Sequence, residues 1–148
     1  MVKKILLPTD FSEGSKNALP YAVELTKQYN ASLYMIHVIY DINQASGLHV
    51  PHVNLDQLYS EIESVAKKEL ERFGLEELRG MNVQREVLRG VPYEEIVKYA
   101  EKNQIDLIVI GTHGRKGLEK IFFGSTAEQV VRKAPCAVLT VRLPKKSS

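Results

Sequence analysis

The chain is short of three things, each of which would have pointed to a different class of protein. It has a single cysteine, Cys136, which excludes an internal disulfide framework and a cysteine-built zinc cluster and fits a reducing compartment. It has almost no excess of charge of one sign. Lys and Arg number 20 against 18 Asp and Glu, a net charge of +2, too even for a protein whose main task is to coat nucleic-acid phosphates. It also has no long hydrophobic run. The basic start Met1-Val2-Lys3-Lys4 is followed by only Ile5, Leu6 and Leu7 before Pro8 and Asp10 intervene, too short for a signal h-region. No stretch approaches the ~20 apolar residues of a membrane span. What is present is 148 residues, 44% hydrophobic and 26% charged, the usual size of one α/β domain. The expectation is a soluble, cytoplasmic protein with neither membrane nor nucleic-acid partners.

Short apolar runs alternate with amphipathic stretches along the whole length, as repeated βαβ units around a parallel sheet require. Strands are expected at Lys4 to Pro8, Ser32 to Ile39, Met81 to Leu88, Ile105 to Ile110 and Ala137 to Arg142. The third, with Arg85 and Glu86 inside it, reads as a sheet edge. Between them the helical period gives a first helix over Ser12 to Tyr29, with a stripe at Ala18, Ala22, Leu25 and Tyr29 and a kink at Pro20 or a start nearer Ser15. A second covers Asp56 to Phe73, with a stripe at Leu58, Ile62, Val65 and Phe73 and Gly74 as its left-handed cap. A third starts at Pro92 and buries Tyr93, Ile96, Val97 and Ala100. A fourth starts at Ser125, where Ser125 and Glu128 form an S-x-x-E capping box ahead of Val130, Val131 and Ala134. Tyr40 to Asn54 is the one long irregular stretch, of the length seen in lids and partner surfaces. With no repeat and no linker, residues 1–148 read as one domain ending in a polar, basic tail, Leu143 to Ser148.

The densest chemical information lies between Gly111 and Ser125. Gly111, Gly114, Gly117 and Gly124 fall within fourteen positions, directly after a buried strand and ending at a helix start. Glycines there let backbone amides approach a ligand without a Cβ in the way, and a helix N-terminus adds unpaired N–H groups and a positive dipole end. Arg115, Lys116 and Lys120 bring three cations against the single acid Glu119. A phosphate is the natural ligand. The Walker spacing G-x-x-x-x-G-K-[ST] and the dinucleotide spacing G-x-G-x-x-G are both absent.

The spacing is instead G-x2-G-x9-G-[ST], from Gly111 through Gly114 to Gly124 and Ser125, which resembles the signature of the ATP-binding branch of the universal stress protein family. Pro8-Thr9-Asp10 after the first strand, His37-Val38 after the second and Pro135-Cys136-Ala137-Val138 at the last are similar to that family's other segments, and the element order matches over essentially the whole chain. Topology points to the same place. A chain that winds outward through strands two and three and then crosses back gives the order 3-2-1-4-5, a doubly wound Rossmann-like sheet. Ligands bind such a sheet at the carboxyl ends of the strands where the winding reverses. Pro8-Thr9-Asp10 and Gly111, about 100 residues apart, then face one crevice.

The resemblance implies an adenine mononucleotide, ATP, ADP or AMP. Its adenine would lie near Pro8, Thr9 and the backbone of Val38, and its ribose near Asp10 and Gly111. The phosphates would lie across Gly114, Gly124, Ser125 and Thr126, with Arg115, Lys116 and Gly117 covering them and Thr112 and His113 in the same loop. Ala127 stands where some ATP-binding relatives carry a hydroxyl, which leaves AMP or ADP open against ATP. A triphosphate beside Asp10 needs Mg²⁺ or water between the like charges. The function implied is a nucleotide-responsive stress or signalling module.

Two alternatives stay open: a slow ATPase or nucleotidyl-transfer enzyme, and a nucleotide-free dimeric interaction module. Against the former, the segment Pro8-Thr9-Asp10-Phe11-Ser12 lacks the S-G-G-x-D-S loop of the ATP pyrophosphatases, and Ser125 has no G-x-S-x-G setting. Asp10 could also serve only to cap the following helix, and His113 could donate to a phosphate or pack against its loop. His49 and His52, with no acid or cysteine nearby, read as loop surface. Cys136 reads as a packed apolar residue. In the last strand Val138, Leu139 and Val141 form an uncharged edge, which predicts a two-fold homodimer through Ala137 to Arg142.

Overall fold

The first apolar run, Ile5-Leu6-Leu7, has no solvent exposure at all, because it lies in the middle strand of a sheet covered on both faces. This strand is β1, Lys4–Pro8, in a computed structural model that describes residues 1–41, 56–112 and 124–144. The elements that follow are α1 (Glu13–Tyr29), β2 (Ser32–Tyr40), α2 (Asp56–Arg72), β3 (Val83–Gly90), α3 (Pro92–Lys102), β4 (Leu107–Gly111), α4 (Ser125–Lys133) and β5 (Ala137–Val141). The five strands form one sheet in the order β3-β2-β1-β4-β5, parallel throughout. The reversal falls between β1 and its two neighbours, as the 3-2-1-4-5 expectation requires. The expected readings on the irregular stretch beyond Asp41 with His49 and His52, on the loop from His113 to Gly117 and on the basic tail beyond Pro144 lie outside the described residues.

Side-chain alternation divides the core in two. Ile5 and Leu7 of β1, Leu33 and Met35 of β2 and Val109 of β4 pack against α1 and Leu70 of α2. Leu6, Ile36, Ile108 and Ile110 point the other way, against Ile96 and Ala100 of α3 and Ala127 and Val130 of α4. A strand buried on both faces has no polar parity, which is why these runs read as uniformly apolar. Tyr99 joins the second cluster edge-on to Tyr34 at 6.4 Å. Burial first, then the charge of Glu86 and the neighbouring Tyr34, push its hydroxyl up to about 12.

Helix α1 runs unbroken from Glu13, its cap Ser12 accepting the Ser15 N–H at 3.4 Å. The expected later start is therefore not found. Pro20 lies on the exposed side of the helix. Tyr29 is 48% exposed, so the stripe facing the sheet is Ala18, Leu19, Ala22, Val23 and Thr26.

Helix α2 also departs from its expected face. Leu58, Ile62 and Val65 are exposed, while Tyr59, Ala66, Leu70 and Phe73 are buried. Gly74 does take the left-handed φ of +67°, and a Cβ there would lie 2.6 Å from Leu19 Cδ2.

The last correction is at α4. Gly124, not Ser125, is the N-cap, with no capping side chain, and Glu128 pairs instead with Arg132 at 3.0 Å. The S-x-x-E box therefore does not form, because Ser125 is already the first helical residue. Val131 is exposed, and the buried residues of α4 are Ala127 and Val130.

At the opposite end of the sheet, Asp106 Oδ2 accepts the backbone N–H groups of Lys3 and Lys4 at 2.9 and 3.0 Å. These two bonds hold its carboxyl below the usual carboxylate range, helped by the amino terminus and Lys3. A depressed folded-state pKa gives stability that is full above the unfolded value near 4 and is lost as pH falls through the folded one. Asp106→Asn should therefore cost under about 1 kcal/mol at pH 7, a small figure because the carboxyl is not deeply buried, and the difference should be smaller at about pH 3, below the unfolded value. Urea unfolding of both proteins at the two pH values checks this. An equal gap at both would refute it.

Candidate functional site

At the carboxyl ends of β1, β2 and β4 the sheet opens into a crevice of about 510 Å³, within the range of small-molecule sites. Strand β1 runs into Pro8, Thr9 and Asp10 on its floor, β2 contributes Val38, β4 contributes Gly111, and Gly124, Ser125 and Thr126 at the start of α4 close the far side. Ile36, Ile96, Ile110 and Ala127 give it an apolar wall. The topology thus brings these predicted residues together from four segments of the chain. Thr112 is different. It is fully buried, its N–H donates to the Val141 carbonyl at 3.0 Å, and its own carbonyl accepts the Gly124 N–H. It joins the two ends of the glycine loop to the sheet and does not line the crevice. His113, Gly114, Arg115, Lys116 and Gly117 lie outside the described residues.

Each segment is held for a local reason. Asp10 Oδ1 accepts the Ser15 hydroxyl at 2.8 Å and the Ser12 N–H at 3.0 Å, while the Asp10 N–H donates to Ser15 Oγ at 3.1 Å. The carboxylate therefore does shape the entry to α1, and it is also exposed at the crevice. Thr9 Oγ1 accepts the Phe11 N–H at 3.0 Å, which fixes Phe11 at φ +64°. Gly111 is glycine for a reason the sequence did not disclose. A Cβ would sit 2.5 Å from the carbonyl carbon of Gly14 and 3.1 Å from its Cα, so the residue is selected by the close approach of α1 to β4.

At α4 the missing cap has a chemical consequence. With no capping side-chain hydrogen bond among the described residues, the N–H groups of the first turn point toward the crevice end of the helix, where an anion is favoured. The Glu128 N–H is the first to be taken up, by the Gly124 carbonyl at 3.0 Å.

The resemblance gave His37 only as part of the His37-Val38 segment and assigned the contact to Val38, yet His37 itself lines the crevice. Its Nδ1 is 2.8 Å from the Thr9 carbonyl, and its ring stacks on Phe11 with centroids 4.5 Å apart. Nothing in a linear reading joins positions 9, 11 and 37. The apolar wall was missed for another reason, since Ile36, Ile96 and Ile110 read only as core. Cys136 packs half-buried against the α3 and α4 side of the core. Burial, then the nearby Asp106 charge, push its thiol up, away from the thiolate that reactive cysteines need.

The profile of the universal stress protein family matches residues 1–142. The chain belongs to the universal stress protein family. Among curated relatives, universal stress protein MJ0531 of Methanocaldococcus jannaschii is 40% identical over 155 residues, covering 99% of this chain and 85% of that protein. Among solved structures, that of MJ0577 superposes with a TM-score of 0.85 at 33% identity, covering 99% of both chains. A more distant universal stress protein from Archaeoglobus fulgidus, solved in complex with dAMP, shares the fold at a TM-score of 0.63 and 23% identity, covering 95% of this chain and 98% of that one. Membership in the universal stress protein family thus covers the whole α/β sheet and the crevice at its carboxyl end. Among the described residues, no helix is long and apolar enough to cross a membrane.

Proposed function

We propose that this universal stress protein binds an adenine nucleotide, ATP, ADP or AMP, in the crevice and acts as a nucleotide-responsive stress or signalling module in the cytoplasm. The observation that carries the reading is the uncapped N-terminus of α4 facing Thr9, Asp10 and Val38 across a volume suited to a mononucleotide. The dAMP held by the Archaeoglobus fulgidus relative agrees with the choice of base. In this reading Pro8, Thr9 and Val38 take the adenine, and Asp10 and Gly111 flank the ribose. Gly124, Ser125 and Thr126 receive the phosphates, together with His113, Gly114, Arg115, Lys116 and Gly117. Residues 1–148 act as one domain, with 143–148 as its basic tail.

A triphosphate would bring Mg²⁺ with it. Among the described residues no group of three His, Cys, Asp or Glu is placed to hold a metal, so the ion would be held mainly by phosphate oxygens, with Asp10 the carboxylate at hand. Its chemistry there is charge neutralisation.

Gly124→Val tests the site. The added side chain intrudes at the helix end where phosphate must approach, and affinity should fall about tenfold or more, ~1.4 kcal/mol in binding, with the thermal transition little changed. Undiminished affinity in calorimetry would mean that the loop end is only a turn.

The same reading includes a two-fold dimer through β5. The two sheet edges differ, for β3 carries Arg85 and Glu86, while β5 presents Ala137, Val138, Leu139, Thr140 and Val141 without a charge, and an uncharged edge invites pairing. Sedimentation at micromolar concentration should give the dimer mass, and a purely monomeric boundary would count against it.

A further inference from the structure

We propose that His37 is a positioning residue that frees the Val38 N–H for the ligand. The inference rests on the nucleotide reading above and adds how the base is selected. Parallel pairing of β1 with β2 proceeds regularly to Pro8 opposite Ile36, and the next bond is also regular, from the Thr9 N–H to the Ile36 carbonyl at 2.9 Å. In a continued parallel ladder Thr9 would then accept from the residue two beyond Ile36, which is Val38. That bond is not made. The Thr9 carbonyl is taken by the imidazole of His37 at 2.8 Å.

A carbonyl can only accept, so His37 Nδ1 carries a proton and donates. The ring is held in place from its face. It stacks on Phe11 at 4.5 Å and 28°, and Phe11 is itself edge-on to Phe73 at 6.0 Å. Phe11 sits at φ +64°, a region bulky residues rarely occupy and keep only when their surroundings hold them there. The side chain of His37 thus ends the ladder one bond early, at the point where the sheet opens into the crevice.

The consequence is chemical. Val38 belongs to the side of the sheet packed by α3 and α4 and lines the crevice. Its N–H, directed by strand geometry toward β1, offers a donor to a ligand. A donor at that position favours a base whose ring nitrogen accepts. Adenine N1 accepts, whereas N1 of hypoxanthine carries a hydrogen and would oppose the donor. His37 therefore sets selectivity without touching the base.

The experiment compares wild type, His37→Phe and His37→Asn, using calorimetry with AMP and IMP and amide exchange at Val38. In the wild type the Val38 amide should exchange fast without nucleotide and be protected by AMP, and AMP should bind about tenfold or more tightly than IMP. His37→Phe keeps the stack but loses the donor. The ladder should close, protecting Val38 without ligand, with AMP affinity down about tenfold and the preference over IMP gone. His37→Asn, which restores a donor, should behave nearly as wild type. Wild-type affinity and selectivity in His37→Phe, or a Val38 amide already protected in free wild type, would overturn the assignment. If wild type binds no adenine nucleotide, the nucleotide reading fails, and the exchange comparison still judges the role of His37. Should His37→Phe not fold, nitrogen NMR of wild type decides: a proton on Nδ1 supports the role, and a ring whose Nδ1 carries none refutes it.

Discussion

Gly111→Ala should destabilise the protein by more than about 3 kcal/mol. The added Cβ would meet the carbonyl carbon of Gly14 at 2.5 Å and its Cα at 3.1 Å. Neither side can yield cheaply. Gly111 ends β4 and is paired with Val141 of β5, while Gly14 is buried in the first turn of α1. Relief requires moving α1 off the sheet, and α1 carries Ala18, Leu19, Ala22 and Val23 of the core. Buried side chains of this kind are worth roughly 1.5–3 kcal/mol each for the larger ones. Denaturant unfolding should show the midpoint displaced far below wild type, or no cooperative transition at all. A loss under about 1 kcal/mol would mean that α1 and β4 part easily. Since both Gly111 and the entry to α1 line the crevice, the same contact that builds the core also sets the spacing of the site.

Arg89→Ala should cost about 1–3 kcal/mol, between the values for exposed and for buried pairs. Asp41 follows β2 directly, its side chain is 4% exposed, and Arg89 Nε lies 2.8 Å from its Oδ2. The guanidinium also lies over the Tyr59 ring at 3.7 Å, and the Asp41 N–H donates to the Gly90 carbonyl at 3.0 Å. One cation thus joins β2, β3 and the first turn of α2. Truncating it takes a guanidinium away from a carboxylate whose side chain is 4% exposed, and the weakened pairing adds to the forfeited stacking, worth about 1 kcal/mol. Arg89→Lys should recover only part of the loss, since an ammonium keeps the charge but not the planar fork. Thermal and denaturant unfolding of both variants test this, and equal stability of Arg89→Ala and wild type would contradict it.

These two cases show where sequence reading succeeds and where it stops. The strand run Ile5-Leu6-Leu7, Pro92 at the head of α3 and Gly74 beyond α2 were legible because each depends on local chemistry: two-sided burial, a fixed φ and a left-handed one. The strand order followed from one topological rule. The inner face of α2 was legible only at Phe73, because the expected stripe Leu58-Ile62-Val65-Phe73 competes with Tyr59-Ala66-Leu70, which leads to the same residue. Only the Arg89 guanidinium over Tyr59 and the packing of Leu70 show which one the sheet selects. The capping box misled because S-x-x-E fits equally well one residue inside the helix. Gly111 was placed correctly in the crevice for an incomplete reason, since its Cβ-free space belongs to Gly14. The His37-Val38 segment was legible, but the contacts of the His37 ring with the Thr9 carbonyl and Phe11 were not, because no local pattern shows which way that side chain turns.

The most direct test of the nucleotide reading is to release and weigh, by mass spectrometry, whatever accompanies the freshly purified protein, and then to titrate the emptied protein with ATP, ADP and AMP in a calorimeter. An adenine nucleotide should be found, and at least one of the three should bind at micromolar Kd, about −8 kcal/mol. No co-purifying nucleotide, and no binding tighter than about millimolar, near −4 kcal/mol, would contradict it.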